Sequence, residues 1–146
     1  EAVKPRFDVI IIDTGAGISD VVLYAVSMAT EVIVVATPEP TSMTDAYATI
    51  KVLAAQQSRE KLNLVVNQVA RPGDGRTICQ QLQQVVDRFV VSPSGVVPKL
   101  QFLGDIPFDP CVREAVRKRQ LLLELHPGSG AALGVNQVAV RLLGRA

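Results

Sequence analysis

Several residue types that mark particular functions are scarce in this chain. It contains no Trp, and aromatic residues make up only 4% of its 146 residues. A surface that stacks the bases of single-stranded nucleic acid is therefore not expected. The formal net charge is +1, so charge gives no indication of a nucleic-acid partner. Two Cys and one His are too few for a disulfide framework or a zinc site.

Long apolar runs and targeting signals are also missing. No run approaches the roughly 20 residues that a membrane span needs, and no signal peptide is visible. We therefore expect a cytoplasmic protein in which Cys79 and Cys111 are reduced and inert. Because the sequence begins with Glu1 rather than Met, we expect a fragment or a processed piece of a longer protein.

Short β-branched runs alternate along the chain with segments of helical periodicity. Continuous apolar runs are typical of strands that are buried on both faces of a parallel sheet. They lie at residues 7–12, 31–36, 62–66 and 100–106. Helices are predicted at residues 19–29, 42–57, 76–90, 110–125 and 131–143. This order predicts one α/β domain over residues 1–146, with a mostly parallel sheet and helices on both faces.

Two of the predicted helices have clear apolar stripes. The helix at 42–57 is expected to start at a Thr41 or Ser42 cap, after Pro40 has blocked extension backwards. Its stripe consists of Met43, Ala46, Tyr47, Ile50, Leu53 and Ala54. The stripe of the helix at 76–90 consists of Ile78, Leu82, Val85, Val86 and Phe89.

A carboxylate and a glycine-rich turn follow the first predicted strand. In open parallel sheets, ligands bind beyond the carboxyl ends of the strands. Asp13 stands at such an end, and Gly15 and Gly17 follow it. A carboxylate there can hold Mg²⁺, and the glycines allow the backbone N–H groups to approach a γ-phosphate. An Asp that merely caps a turn is an equally good interpretation.

The later predicted strands also end in polar or proline-containing loops. Asn67 can present its amide to an adenine edge, although an Asn that closes a loop is the more ordinary interpretation. The loop at Pro107 is consistent with one wall of an adenine pocket or with a simple strand-to-helix turn. The loop that begins at Thr37 is best interpreted as a well-built turn before a helix. Together these segments predict four candidate ligand loops on one edge of one sheet.

Four segments resemble the MinD/ParA superfamily of P-loop ATPases. The string DVIIIDTGAGIS is similar to its Walker B and switch II segment, and VVNQV to its strand that ends in an adenine-contacting Asn. The string LGDIPFDPCVREAVRKRQ resembles its late Gly-x-Ile-Pro-x-Asp segment. The string EVIVVATPEPTSMTDAYATIK more specifically resembles its flagellar-number regulators, called FlhG, FleN or YlxH.

The resemblance implies a partial P-loop NTPase fold and a switch that binds ATP and Mg²⁺, hydrolyses ATP and regulates flagellar placement or number. By position, Asp13 would be the Walker B acid that holds the metal, and Gly17 the switch II glycine near the γ-phosphate. Asn67 would contact adenine, with Pro107 and Asp109 in a second base-contacting loop.

The resemblance also implies partners and a location. Proteins of this family form homodimers around two ATP molecules, and Asp45 would lie near the dimer interface. Flagellar assembly proteins are the implied partners. The implied location is cytoplasmic, with peripheral attachment of the whole protein to the inner membrane.

The largest departure from the family is the lack of a phosphate-binding loop of the KGGxGKT type in residues 1–146. Without this loop there is no backbone cradle for the phosphates and no Lys near the β- and γ-oxygens. We therefore do not expect this chain by itself to hydrolyse ATP. The switch I acid, the activator motif and the membrane-binding helix of the flagellar regulators also have no counterpart, and the apolar stripe at 135–143 is expected to be core.

Three interpretations follow. The chain is the carboxyl-terminal half of a flagellar ATPase switch, a non-catalytic partner-binding module of the same fold, or part of a division-site or partitioning ATPase.

In the family's sheet, the strand that leads into the phosphate loop neighbours the strand equivalent to 7–12. If that neighbour is missing, hydrogen-bonding groups are exposed. We therefore predict marginal stability, aggregation or pairing with a second copy at this edge.

Two further features are expected to be structural. His126 is the lone His and has no neighbouring nucleophile in the sequence. The basic residues of one predicted helix are expected to form a solvated face, with contact to an acidic partner as the alternative. They are Arg113, Arg117, Lys118 and Arg119.

Overall fold

The computed structural model describes residues 7–144. Its elements are α1 (Asp20–Met28), β1 (Ile33–Ala36), α2 (Pro40–Gln57), β2 (Lys61–Val69), α3 (Asp74–Phe89), β3 (Lys99–Pro107), α4 (Pro110–Lys118), α5 (Leu122–Leu125) and α6 (Gly130–Leu143). The described strands form one sheet in the order β1-β2-β3, and both pairings are parallel. The prediction of an α/β fold with a parallel sheet is confirmed.

The central strand β2 is buried on both faces, lying between two neighbouring strands and beneath α2 and α3. Leu64 and Val66 belong to the apolar cluster beneath α2 and α3. Val65 alternates to the opposite face, as the pleat of a strand requires, and is also buried. The polar exception is Asn63, whose side-chain amide donates to the Glu31 carboxylate at 2.7 Å. A buried polar side chain needs such a partner.

One face of the sheet is covered by α2 and α3. The predicted stripe of α2 is confirmed, since Ala46, Ile50, Leu53 and Ala54 are buried. On α3, Leu82 and Val86 are buried, whereas Val85 and Phe89 are exposed, so their assignment to the stripe was wrong. The helix ends at Phe89, and Val90 continues in extended backbone and is buried instead.

The other face is covered at β3 by α6. A Cβ at Gly134 would lie 2.9 Å from the carbonyl oxygen of Asp105 and 3.2 Å from Cα of Ile106. Only a glycine permits this close approach of a helix to a strand. Ala131 and Ala132 are fully buried beside it. The prediction that the stripe at 135–143 belongs to the core is wrong, because its residues are half-buried or exposed.

Two predicted helix boundaries are wrong. The helix predicted at 42–57 begins at Pro40, which occupies the first turn after the N-cap Glu39. Proline is accepted there because the first N–H groups of a helix have no intrahelical partner. The helix predicted at 110–125 is divided into α4 and α5, because Arg119 adopts left-handed backbone with φ of 53°. His126 lies just beyond α5, where its Nε2 is 3.0 Å from the Glu114 carboxylate of α4.

The strand predicted at residues 7–12 is also wrong, since these residues belong to no strand in the described structure. Their apolar side chains are exposed, with Ile11 reaching 86%. Among the described residues, β1 pairs on one side only, with β2, and residues 7–12 pair with no strand. A β-branched run becomes a strand only when a neighbour accepts its hydrogen bonds.

Between Phe7 and Gly144, no helix is long and apolar enough to cross a membrane.

Candidate functional site

The loops after β1, β2 and β3 lie at the same edge of the sheet because the strands are parallel. In the ladder between β2 and β3, Asn67 is opposite Ile106 and Val69 is opposite Pro107. The N–H of Phe108 donates to the carbonyl oxygen of Val69 at 2.9 Å, which continues the pairing past the end of β3. The structure therefore brings the predicted site residues Asn67 and Pro107 to adjacent positions.

Asn67 lies inside β2, at an irregularity in the pairing of this strand with β3. Its side-chain oxygen accepts from the N–H of Gln68 at 2.9 Å. Gln68 has φ of 58°, a left-handed conformation that is uncommon outside glycine. Among the hydrogen bonds of residues 7–144, none involves the Asn67 amide nitrogen. The ordinary interpretation, an Asn that closes a loop after the strand, is wrong because β2 continues to Val69. The NH₂ group of Asn67 is left as a donor near the strand end.

Asp105, a residue that sequence reasoning missed, fastens the turn that follows Asn67. Its Oδ2 accepts from the N–H of Gly73 at 2.6 Å and from the N–H of Gly75 at 3.2 Å. A carboxylate is favoured there because the first turn of α3 presents unpaired N–H groups and the positive end of the helix dipole. A Cβ at Gly75 would lie 2.6 Å from Cβ of Asp105. The signal available in the sequence was an acid near the end of β3 and a glycine-rich turn after β2.

Asp109 joins two helices. Its Oδ1 accepts from the N–H of Cys111 at 2.9 Å, which caps α4, and its Oδ2 accepts from the N–H of Ala131 in α6 at 3.1 Å. The Ala131 hydrogen bond, followed by that of Cys111, lowers the pKa of Asp109 below its ordinary value. Both carboxylate oxygens are therefore engaged with the protein backbone. The contact of Asp109 with a base stays a prediction, and the structure gives this residue a structural role.

Asp13 and Gly17 lie on the exposed segment before α1. Gly17 has φ of 101°, a conformation that favours glycine, and a Cβ at Gly15 or Gly17 would have no atom within 4 Å. Among the hydrogen bonds and ion pairs of the described residues, none joins Asp13 to Asn67 or Pro107. The part of the chain that the structure describes contains no cluster of three metal-ligating side chains. Mg²⁺ is commonly held by one or two carboxylates together with phosphates and waters, so Asp13 alone fits the protein's share of such a site.

The helix α1, which directly follows this segment, is held by two side chains from the end of α2 and the loop after it. Arg59 donates to the carbonyl oxygens of Val26 and Ala29, both at 2.8 Å. Gln57 donates to the carbonyl oxygen of Leu23 at 2.7 Å. The position of the Asp13 segment therefore depends on contacts made well outside the segment itself.

Asp45 is exposed on α2. It lies in the second turn of the helix, where the carbonyl oxygen of Asp45 accepts from the Thr49 hydroxyl at 2.9 Å. Its role at a dimer interface stays a prediction.

Known proteins resemble this chain over almost all of its length. Residues 3–143 match the ParA family, described as NUBPL iron-transfer P-loop NTPase. The chain is 38% identical over 140 residues to the antiactivator FleN of Pseudomonas aeruginosa, covering 96% of this chain and 48% of FleN. It is 31% identical over 145 residues to the flagellum site-determining protein YlxH of Helicobacter pylori, covering 99% of this chain and 47% of YlxH.

The fold is also found in a solved structure. The MinD cell division protein of Aquifex aeolicus superimposes with a TM-score of 0.73 at 24% sequence identity, over 99% of this chain and 57% of that protein. The chain spans about half the length of the curated relatives it matches.

Proposed function

This chain belongs to the ParA family of P-loop NTPases, and we propose that it is the carboxyl-terminal half of an ATP- and Mg²⁺-dependent switch that regulates flagellar placement or number. The flagellar part of the proposal is supported by the similarity to FleN and YlxH, whose names describe an antiactivator and a flagellar site determinant. The nucleotide part is supported by the family, whose members are NTPases.

The observation that carries the nucleotide proposal is the pairing of two strand ends. The β2–β3 ladder places Asn67 opposite Ile106, the residue before Pro107, at the edge where parallel sheets bind ligands. In this proposal the Asn67 NH₂ group donates to a ring nitrogen of adenine, and the Pro107 ring forms an apolar wall of the base pocket. Asp105 keeps the turn after Asn67 in place.

The metal and phosphate contacts are proposed to come from the segment before α1. The Asp13 carboxylate would hold Mg²⁺, which neutralises phosphate charge when it is bound. The backbone N–H of Gly17 would donate to the terminal phosphate. A phosphate cradle would come from the part of the protein that precedes this chain, so the chain alone is proposed to be inactive in hydrolysis.

The test uses the full-length protein and isothermal calorimetry with MgATP. Asn67→Ala removes one hydrogen bond to the base and is expected to weaken binding about five- to tenfold. Asn136→Ala is the matched control, because Asn136 is exposed on α6, and its affinity should stay within about twofold of the wild type. If the full-length protein binds no MgATP, the proposal fails and the non-catalytic partner-binding module is favoured.

The biological role is tested separately. In a strain that lacks the gene, the proposal expects an altered number or position of flagella with normal septum placement. Misplaced septa with normal flagella would instead indicate a division-site ATPase. We propose a homodimer for the intact protein, with Asp45 near its interface and with flagellar assembly proteins as partners. A cytoplasmic location with peripheral attachment to the inner membrane is part of the same proposal.

A further inference from the structure

The helix α4 presents an exposed apolar stripe to solvent. Val112 and Val116 are separated by four residues, so they lie one above the other on the helix surface. Val116 is 71% exposed, and Phe108, just before the helix, is 55% exposed. Ala115, on another side of the helix, is buried. The helix therefore packs through one side and leaves its valine stripe uncovered.

A second stripe, of arginines, runs beside the first. Arg113 and Arg117 are also four residues apart and are both exposed. The Arg113 guanidinium lies 5.6 Å from the centre of the Phe108 ring, which holds it next to the apolar stripe by a cation–π contact. The two stripes and Phe108 together are called the α4 face: Phe108, Val112, Arg113, Val116 and Arg117.

The positive charge of this face has no counter-ion within the described structure. The acid of the helix, Glu114, already pairs with Lys118 at 2.7 Å and with His126 at 3.0 Å. No ion pair among residues 7–144 includes Arg113 or Arg117. Guanidinium groups bind carboxylates in a bidentate manner, and they keep their charge at any physiological pH.

The arrangement of the stripes selects the partner. With a rotation of 100° per residue, the arginines flank the valine stripe on one side, and the other flank carries the half-buried Cys111 and the buried Ala115. A helix that lies in a membrane surface is expected to have basic residues around a broad apolar face with larger side chains. A duplex nucleic acid needs no apolar stripe. Adjacent apolar and basic stripes instead match a segment that carries adjacent apolar and acidic stripes.

We propose that the α4 face is a docking surface for an acidic, amphipathic segment of a partner protein. The surface goes beyond the nucleotide switch proposed above, because it requires neither ATP nor Mg²⁺. The partner's apolar side chains pack on Val112 and Val116, and its carboxylates pair with Arg113 and Arg117.

The probe is a synthetic amphipathic helix with a leucine stripe at every fourth residue and a glutamate stripe beside it. Binding to the full-length protein is measured by fluorescence anisotropy up to about 1 mM peptide at about 0.15 M salt. The Arg113→Glu/Arg117→Glu variant is expected to bind at least about tenfold more weakly. The matched control, Lys51→Glu/Lys61→Glu, makes the same change in net charge at exposed positions elsewhere. Its affinity for the peptide should stay within about twofold of the wild type.

Further variants test the apolar stripe and the independence of the α4 face from the nucleotide site. Because the apolar stripe contributes to the docking surface, Val116→Asp should also weaken peptide binding about tenfold. Asn67→Ala should leave peptide binding unchanged, whatever its effect on nucleotide binding. If the charge-reversal variant unfolds in circular dichroism, Arg113→Gln/Arg117→Gln replaces it, with an expected loss of about threefold.

Three results overturn the proposal. The first is equal binding of a peptide in which glutamine replaces glutamate, or no binding of the acidic peptide. The second is an equal loss of affinity in the Lys51/Lys61 control. The third is retention of duplex DNA or of phosphatidylserine vesicles through Arg113 and Arg117 in the absence of peptide binding.

Discussion

Arg59 is expected to control the stability of α1 and, through it, the position of the Asp13 segment. α1 has no fully buried residue and no basic residue of its own in its last turn. Its carboxyl end is instead closed by the guanidinium of Arg59, which donates to the carbonyl oxygens of Val26 and Ala29. Replacing Arg59 with Ala removes both hydrogen bonds and the positive charge at the negative end of the helix dipole.

The magnitude follows from the geometry of these contacts. A hydrogen bond from a charged group contributes about 1.5–3 kcal/mol. Arg59 is half-buried, and in the Arg59→Ala variant water can reach the carbonyl groups of Val26 and Ala29. The two hydrogen bonds together should therefore contribute an amount near the low end of this range. We expect α1 to be destabilised locally by about 2 kcal/mol, which is about a 30-fold increase in the population of its open state. Arg59→Lys keeps the charge without the planar donor group, and should have an intermediate effect.

The assay is native-state hydrogen exchange followed by mass spectrometry. In Arg59→Ala, exchange of the amides of Asp20–Met28 should accelerate about 30-fold while that of β2 is unchanged. Lys51→Ala, at an exposed position of α2, is the control and should leave both regions unchanged. Unaltered protection of α1 in Arg59→Ala would refute the assignment of Arg59 as its anchor, and equal acceleration in β2 would indicate global rather than local destabilisation.

Three further predictions concern packing, pH and association. Gly75→Ala places a Cβ 2.6 Å from Cβ of Asp105 and should lower the free energy of unfolding, measured in urea, by roughly 1–3 kcal/mol. In the control Gly128→Ala the new Cβ has no atom within 4 Å, and the free energy of unfolding should change by less than about 0.5 kcal/mol. Equal effects of the two substitutions would contradict the close packing of Gly75 against Asp105. The pKa of Asp109 is lowered, chiefly by the Ala131 N–H. The stability that ionised Asp109 contributes is therefore complete above the ordinary Asp pKa of about 3.9 and is lost as pH falls through the lower folded pKa. Asp109→Asn should flatten the fall of Tm in this pH range, and an unchanged fall of Tm would be evidence against the hydrogen bonds from Asp109 to α4 and α6. Ile11→Lys, in the exposed segment 7–12, should lower self-association, measured by sedimentation velocity, more than the control Val140→Lys, whose valine is 71% exposed on α6. Identical effects of the two substitutions would exclude segment 7–12 as the surface through which copies of the chain associate.

The parallel sheet could be predicted because continuous apolar runs encode it directly. Leu64 to Val66 form such a run, and all three residues are buried. The same rule failed at residues 7–12, because strand formation also depends on a neighbour that local composition does not reveal. Arg119 ends α4 in a left-handed conformation, and a non-glycine residue gives little sequence signal for such a break.

The site was predictable in its position and less so in its details. The end of β3 at Pro107 follows from the strand pattern, whereas β2 continues through Asn67 to Val69, beyond the predicted run at 62–66. Asp109 precedes Pro110, and this pair is a typical helix start, so its capping role could have been inferred before its proposed contact with a base. The clamp by Asp105 was not predictable, because it joins residues about 30 positions apart whose proximity is set by the register of two strands.

The ends of β2 and β3 and the segment that contains Asp13 are held in place by different contacts. On the β2–β3 side, Asp105 binds the start of α3 and Asp109 binds the starts of α4 and α6. Both acids lie at the end of β3, so three helix starts are fixed to one strand. On the other side, Asp13 lies on an exposed segment without strand pairing, and its position depends on α1 and the Arg59 anchor. A base pocket on the first side would therefore be preorganised, whereas a metal site at Asp13 would depend on the contacts that hold α1. The proposed base contacts and the proposed metal contact therefore differ in how firmly the described structure holds the residues that would make them.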